Sequence, residues 1–153
     1  MRSRYLAICL LACAAVAASA SAREPGGEAL DLARFKGKVV LLDFWASWCA
    51  PCKASFPWMQ QLHQRYAGND LVVIAVNVDH ERTPAERFLQ GQRADFPIVF
   101  DPSGQIAERF EVHSMPASFY IDRTGRVRYT HAGFRSADTL ESESELAALI
   151  AEH

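Results

Sequence analysis

Apolar residues come along this chain in short blocks separated by polar turns. Val39 to Trp45 and Leu71 to Val78 are nearly unbroken apolar runs rich in β-branched side chains, the pattern of strands covered on both faces in a parallel sheet. Asp43 is the one charge inside the first run. Between the two, Phe56, Met59, Leu62 and Tyr66 recur at three- and four-residue intervals. That spacing makes one face of a helix from Pro51 to Tyr66, which Pro57 is expected to kink. Thr83-Pro84-Ala85-Glu86 reads as an N-cap, a proline at the first helical position and a glutamate at the third, predicting a helix to about Gln92. A short strand at Ile98 to Phe100, a turn through Asp101-Pro102-Ser103-Gly104 and a short helix to about Phe110 follow. Beyond Pro116, Ala117 to Ile121 and Val127 to Thr130 flank Asp122-Arg123-Thr124-Gly125 as a hairpin. A last helix over Ala137 to Ile150 has Ser136 as its expected cap.

Strands alternating with helices and ending in a hairpin and a helix predict an α/β fold with a mixed central sheet. The stretch from about 83 to 110 is an extra unit between the second core strand and the hairpin. At 153 residues, half of them apolar, the chain holds one ordinary core. Residues 38–153 are read as that domain and residues 23–37, polar and containing glycine, as a lead-in with at most a short strand near Leu30 to Leu32.

The first 22 residues change the picture. Arg2 and Arg4 precede an uncharged apolar stretch from Tyr5 to Ala18, and Ala20-Ser21-Ala22 follows, which is the layout of a secretory signal peptide cleaved after Ala22. The apolar stretch falls short of the ~20 residues that a membrane-spanning helix needs. Leu10-Leu11-Ala12-Cys13 resembles a lipoprotein-processing site, but the apolar run continues past Cys13. Cleavage after Ala22 removes Cys9 and Cys13, leaves Cys49 and Cys52, and takes the net charge from −2 to −4. An acidic balance argues against nucleic acid as partner. Export, to a periplasm or beyond, places the two remaining thiols where disulfides persist.

Those two cysteines stand where a buried strand gives way to a helix. A cysteine at a helix start faces unpaired N–H groups and the positive end of the dipole, so the Cys49 thiol is expected below its ordinary pKa. Cys52, one turn later, can close a disulfide with Cys49 or attack a mixed disulfide held on it. A purely structural bridge over so short a loop restrains the unfolded chain little. A zinc site needs two ligands that no second cysteine pair supplies. Asp43 inside its strand is expected to be desolvated, and a carboxyl so placed can exchange protons with Cys52; the competing reading is a core acid bonded to backbone. Met115 is an adaptable apolar contact beside Pro116, which opens a strand.

Phe44-Trp45-Ala46-Ser47-Trp48-Cys49-x-Pro51-Cys52-Lys53, with Pro57 behind it, is similar to the active-site run of the thioredoxin superfamily. Gly37-Lys38 and Ile121-Asp122-x-x-Gly125 match its exported TlpA/ResA-like branch, and the likeness runs from about Leu30 to Ile150. The resemblance implies a thioredoxin fold with the branch's inserted unit. It also implies a cis Met115–Pro116 bond packed against the cysteines, and a client-binding surface of Trp48, Ala50, Pro51, Met115 and Pro116. Asp43 takes the place of the buried acid, while the lysine that thioredoxins set near it is Ala75 here. The implied activity is that of a protein-disulfide reductase, monomeric, with the Cys49–Cys52 disulfide as its only redox group. Its implied partners are a DsbD-type membrane electron donor and exported client proteins with disulfides, such as the apocytochromes of cytochrome c biogenesis. Ala50-Pro51 resembles the thioredoxin dipeptide rather than the histidine-containing pair of strong oxidants, so a reductant is expected. A Sco-like copper-delivery protein using Cys49, Cys52 and His113 is the alternative, although such proteins usually space their cysteines by three residues. A thiol peroxidase would need a separate peroxidatic cysteine.

Overall fold

The computed structural model describes residues 30–66 and 70–152. The signal peptide expected over 1–22 and most of the expected lead-in therefore lie outside the described residues. The chain runs β1 (Val39–Trp45), α1 (Ala50–Arg65), β2 (Leu71–Asn77), α2 (Arg82–Gln90), β3 (Ile98–Phe100), α3 (Gln105–Arg109), β4 (Ala117–Ile121), β5 (Val127–Ala132) and α4 (Thr139–Ala151). The strands form one sheet in the order β3-β2-β1-β4-β5. β1, β2 and β3 are parallel, and β4 and β5 are antiparallel to their neighbours.

β1 is the middle strand and is buried along its whole length. Because strand side chains alternate between faces, Val39, Leu41 and Trp45 pack beneath α1 and α4 with Phe56, Met59, Leu62 and Leu146. Val40, Leu42 and Phe44 meet Ile106, Phe119 and Ile121 on the other face. A strand covered on both sides needs the continuous apolar run that the sequence shows. Trp45, Phe56 and Phe88 join in edge-to-face and tilted contacts with centroids 4.7–5.0 Å apart, which ties α2 to the helix carrying the cysteines.

Three local readings are corrected. Leu32–Phe35 is a single 3-10 turn whose start is capped by Asp31, where a short strand was the expectation. The Asp31 carboxylate accepts the Ala33 N–H at 3.1 Å, and that local bond competes with extended pairing. α2 begins one residue before Thr83, with Glu81 at its N-cap and no side-chain capping bond. α4 begins at Thr139 after a 3-10 turn over Ser136–Asp138; Ser136 contributes its carbonyl, which accepts from the Thr139 hydroxyl. α1 continues without a break through Pro57. Among the described residues, no helix is long and apolar enough to cross a membrane.

Candidate active site

β1 delivers the chain into the loop Ala46–Trp48, and α1 starts immediately after it. Cys49 is the N-cap of α1 and Pro51 lies in its first turn, where a missing N–H costs nothing. Cys49 and Cys52 are joined as a disulfide, and the Cys52 N–H donates to Cys49 Sγ at 3.2 Å. One of the orphan donors at the helix start therefore points at the first sulfur, the arrangement that stabilises a thiolate there after reduction.

The placement of Cys49 at a helix start with Cys52 turned inward predicts that Cys49 alone is exposed, and the structure corrects this. Cys52 is fully buried, and Cys49 is only 4% exposed. Around Cys49, Ala50 and Pro51 are exposed, and Trp48 stands out at 72% exposure. The Met115–Pro116 peptide bond is cis. Pro116 is buried and Met115 half-buried, and the Pro116 carbonyl accepts from the Gly133 N–H at 2.7 Å. Among the described residues, neither the N–H nor the carbonyl of Met115 enters a main-chain hydrogen bond, so both can pair with an extended client segment.

Sequence reasoning missed the staple behind this loop. Asp79, buried at the end of β2, accepts the Ser47 N–H at 3.0 Å, the Ser47 hydroxyl at 3.1 Å and the Asn77 side-chain amide at 2.9 Å. The loop that presents Trp48 and Cys49 is thereby fixed to the sheet. The available signal was Asn77-Val78-Asp79, two short polar side chains where an apolar strand ends, the usual chemistry of a side chain that bonds nearby backbone.

Asp43 is fully buried and lies on the face of β1 shared with Leu41 and Trp45, the face that α1 and Cys52 cover. Its sheet neighbours are Ala75 on β2 and Ser118 on β4, so no lysine stands beside it. The Ser118 hydroxyl donates to Asp43 Oδ2 at 2.6 Å, while Oδ1 has no hydrogen-bond partner. Burial pushes the carboxyl up to about 7, with the Ser118 bond pulling weakly the other way. The acid is bonded to a side chain rather than to backbone. Ser118 was not singled out in the sequence because a lone serine in a strand has no pattern of its own.

His113 is exposed, and among the described residues no three His, Cys, Asp or Glu side chains gather as a metal site. His113 thus joins no such group with Cys49 and Cys52, which are bonded to each other.

A mixed sheet carrying a Cys-x-x-Cys disulfide at the start of its first helix, with a cis-proline immediately before β4, defines a thioredoxin-fold protein. The chain belongs to the Redoxin family, whose model matches residues 15–150. It is similar to the thiol-disulfide oxidoreductase ResA of Bacillus thuringiensis, 33% identical over 115 residues covering 75% of this chain and 66% of that protein. ResA of Bacillus subtilis is 32% identical over 104 residues, 68% of this chain and 58% of that protein. The chain thus spans under two thirds of the length of these curated relatives. Among solved structures, a thiol:disulfide interchange protein DsbE of Chlorobium tepidum is 45% identical with a TM-score of 0.76, covering 78% of this chain and 85% of that one.

Proposed function

We propose that this chain is an exported protein-disulfide reductase. The observation that carries the reading is the Cys49–Cys52 disulfide at the N-cap of α1, with the Cys52 N–H directed at Cys49 Sγ. In the reduced protein the Cys49 thiolate attacks one sulfur of a client disulfide, forming a mixed disulfide and releasing the other client sulfur as a thiolate. Asp43 accepts the Cys52 proton, and the Cys52 thiolate attacks Cys49 Sγ. The second client thiolate leaves and the Cys49–Cys52 disulfide is restored. Two electrons pass to the client, and both its sulfurs end as thiols.

Trp48, Ala50, Pro51, Met115 and Pro116 form the surface on which the client lies. The names of the relatives support disulfide chemistry, and the signal-peptide layout supports export. The protein works as a monomer and is re-reduced by a DsbD-type membrane donor. Its clients are exported proteins with paired cysteines, apocytochromes among them. The direction follows from Ala50-Pro51, which adds no cationic neighbour to stabilise the reduced thiolate further.

Equilibration of the domain starting at Arg23 with glutathione or thioredoxin couples tests the direction. A midpoint near the thioredoxin value of about −270 mV is expected, and one above about −150 mV, toward the strong periplasmic oxidants, reverses the assigned role.

A further inference from the structure

Asp43 has no contact with solvent, so a proton that it takes from Cys52 has to leave along a hydrogen-bonded path. The sheet register supplies one. Asp43 on β1 pairs with Ser118 on β4, and Ser118 pairs with His131 on β5. Directly paired residues share a face of the sheet. The three side chains therefore form a polar row from the buried centre of the molecule to its edge strand, within a face otherwise filled by Leu41, Trp45 and Tyr120. The first link is closed at 2.6 Å. Ser118 and His131 both line a cavity of about 200 Å³ between the hairpin and the start of α4. At the edge-strand end of the row, His131 Nε2 meets a Glu145 carboxylate oxygen at 2.6 Å.

We infer that Ser118 and His131 are the proton exit of Asp43, Ser118 passing the proton from the buried carboxyl to the cavity and His131 exchanging it with solvent. The inference rests on the proton-acceptor role given to Asp43 above. The protonated carboxyl donates to Ser118 Oγ as the hydroxyl proton of Ser118 passes to a water molecule in the cavity, which hands it on to a ring nitrogen of His131 or to bulk solvent. The hydroxyl then turns back toward Asp43, so the serine is unchanged and one proton has crossed the strand. Ala75, the other sheet neighbour of Asp43, has no group that could do this. The charged or titratable groups around the exit are Tyr120 from β4, Glu141 and Glu145 from α4, and Arg135 and Asp138 from the segment before it. None of the five residues assigned to client binding lines the cavity.

The test is the rate at which Cys52 resolves a mixed disulfide between Cys49 and a cysteine peptide, followed in single turnover from pH 5.5 to 9 in water and deuterium oxide. Ser118→Ala should slow the step about tenfold near pH 7, a fraction of the usual yield of a positioned proton carrier. It should also move the midpoint of the pH profile upward, since the bond that favours the carboxylate is gone. Ser118→Thr, which keeps the hydroxyl, should restore both, and His131→Gln should enlarge the solvent isotope effect. A wild-type profile for Ser118→Ala overturns the proposal. So does an equal slowing at every pH that Thr fails to rescue, which marks a purely structural serine. If Ser118→Ala does not fold, His131→Gln decides, and a wild-type rate and isotope effect for it overturn the exit. Asp43→Asn is run alongside. If it leaves resolution unchanged, the proton-acceptor reading falls; if it slows resolution while the Ser118 and His131 variants do not, the exit alone falls.

Discussion

Asp43 is held at a cost that the rest of β1 offsets. An ordinary aspartate titrates near 3.8 and this one near 7, so between those values the folded state holds a proton that the unfolded chain has released. The contribution of Asp43 to stability is therefore most favourable below about pH 4, falls as pH rises toward 7, and levels off above it. A displacement of that size corresponds to on the order of 4 kcal/mol at pH 8. Asp43→Asn should remove this slope. It should raise stability at pH 8 by about 1–4 kcal/mol, since an amide still accepts from Ser118 but leaves its own N–H₂ unpaired. Urea titrations at pH 5 and pH 8 measure both quantities. The same variant should resolve mixed disulfides more slowly, so stability and turnover move in opposite directions. At the sulfur pair, alkylation of the reduced protein at neutral pH should label Cys49 well before Cys52; because Cys49 is itself mostly covered, a small reagent should show the contrast better than a bulky one. The burial of Asp43 and the pairing of the cysteines were legible in the sequence because each breaks a local pattern. Ser118 breaks none, and its meaning appears only when β4 is laid against β1.

At the level of elements, sequence periodicity located β1, β3 and β4 to the residue and α1 and β2 to within one; all but the half-buried β3 are largely buried elements or bury one face, and burial writes a continuous or three-and-four pattern. It was less accurate where local capping chemistry was the only signal. Thr83-Pro84 looks like a helix entry, yet α2 starts at Arg82, two residues before that proline, and ends at Gln90 rather than about Gln92, with Phe88 packed against Trp45 and Phe56. The junction of β1 with α1 depends on Asp79. Asp79→Ala leaves the Ser47 N–H, the Ser47 hydroxyl and the Asn77 amide without their acceptor. A loss of about 1–3 kcal/mol in chemical denaturation is expected, together with faster alkylation of Cys49 as its loop loosens. An unchanged alkylation rate would mean that α1 alone positions the cysteine.

Across the whole molecule, the end of the sheet away from the cysteines is held by one side chain. Arg123 donates to the Gly37, Ile150 and Glu152 carbonyls and to Asp70, joining the entries to β1 and β2 and the end of α4 at the hairpin. Arg123→Ala should cost about 1–3 kcal/mol while leaving the reduction potential and the Cys49 alkylation rate where they were, since it acts at the opposite end of β1. Denaturation and redox titration of one sample check the separation. The strand order carries a further consequence, in time rather than in space. β1 is the central strand but the first to be made, and its antiparallel neighbour β4 begins more than seventy residues later. A chain that emerges N-terminus first therefore presents both cysteines, with Asp43 beside no serine, before β4 and Pro116 arrive to enclose them. During that interval Cys49 and Cys52 are two ordinary thiols open to any oxidant or partner thiol nearby. The helix start gives Cys49 its local donor early, but the serine beside Asp43 arrives only when the last third of the chain closes the sheet.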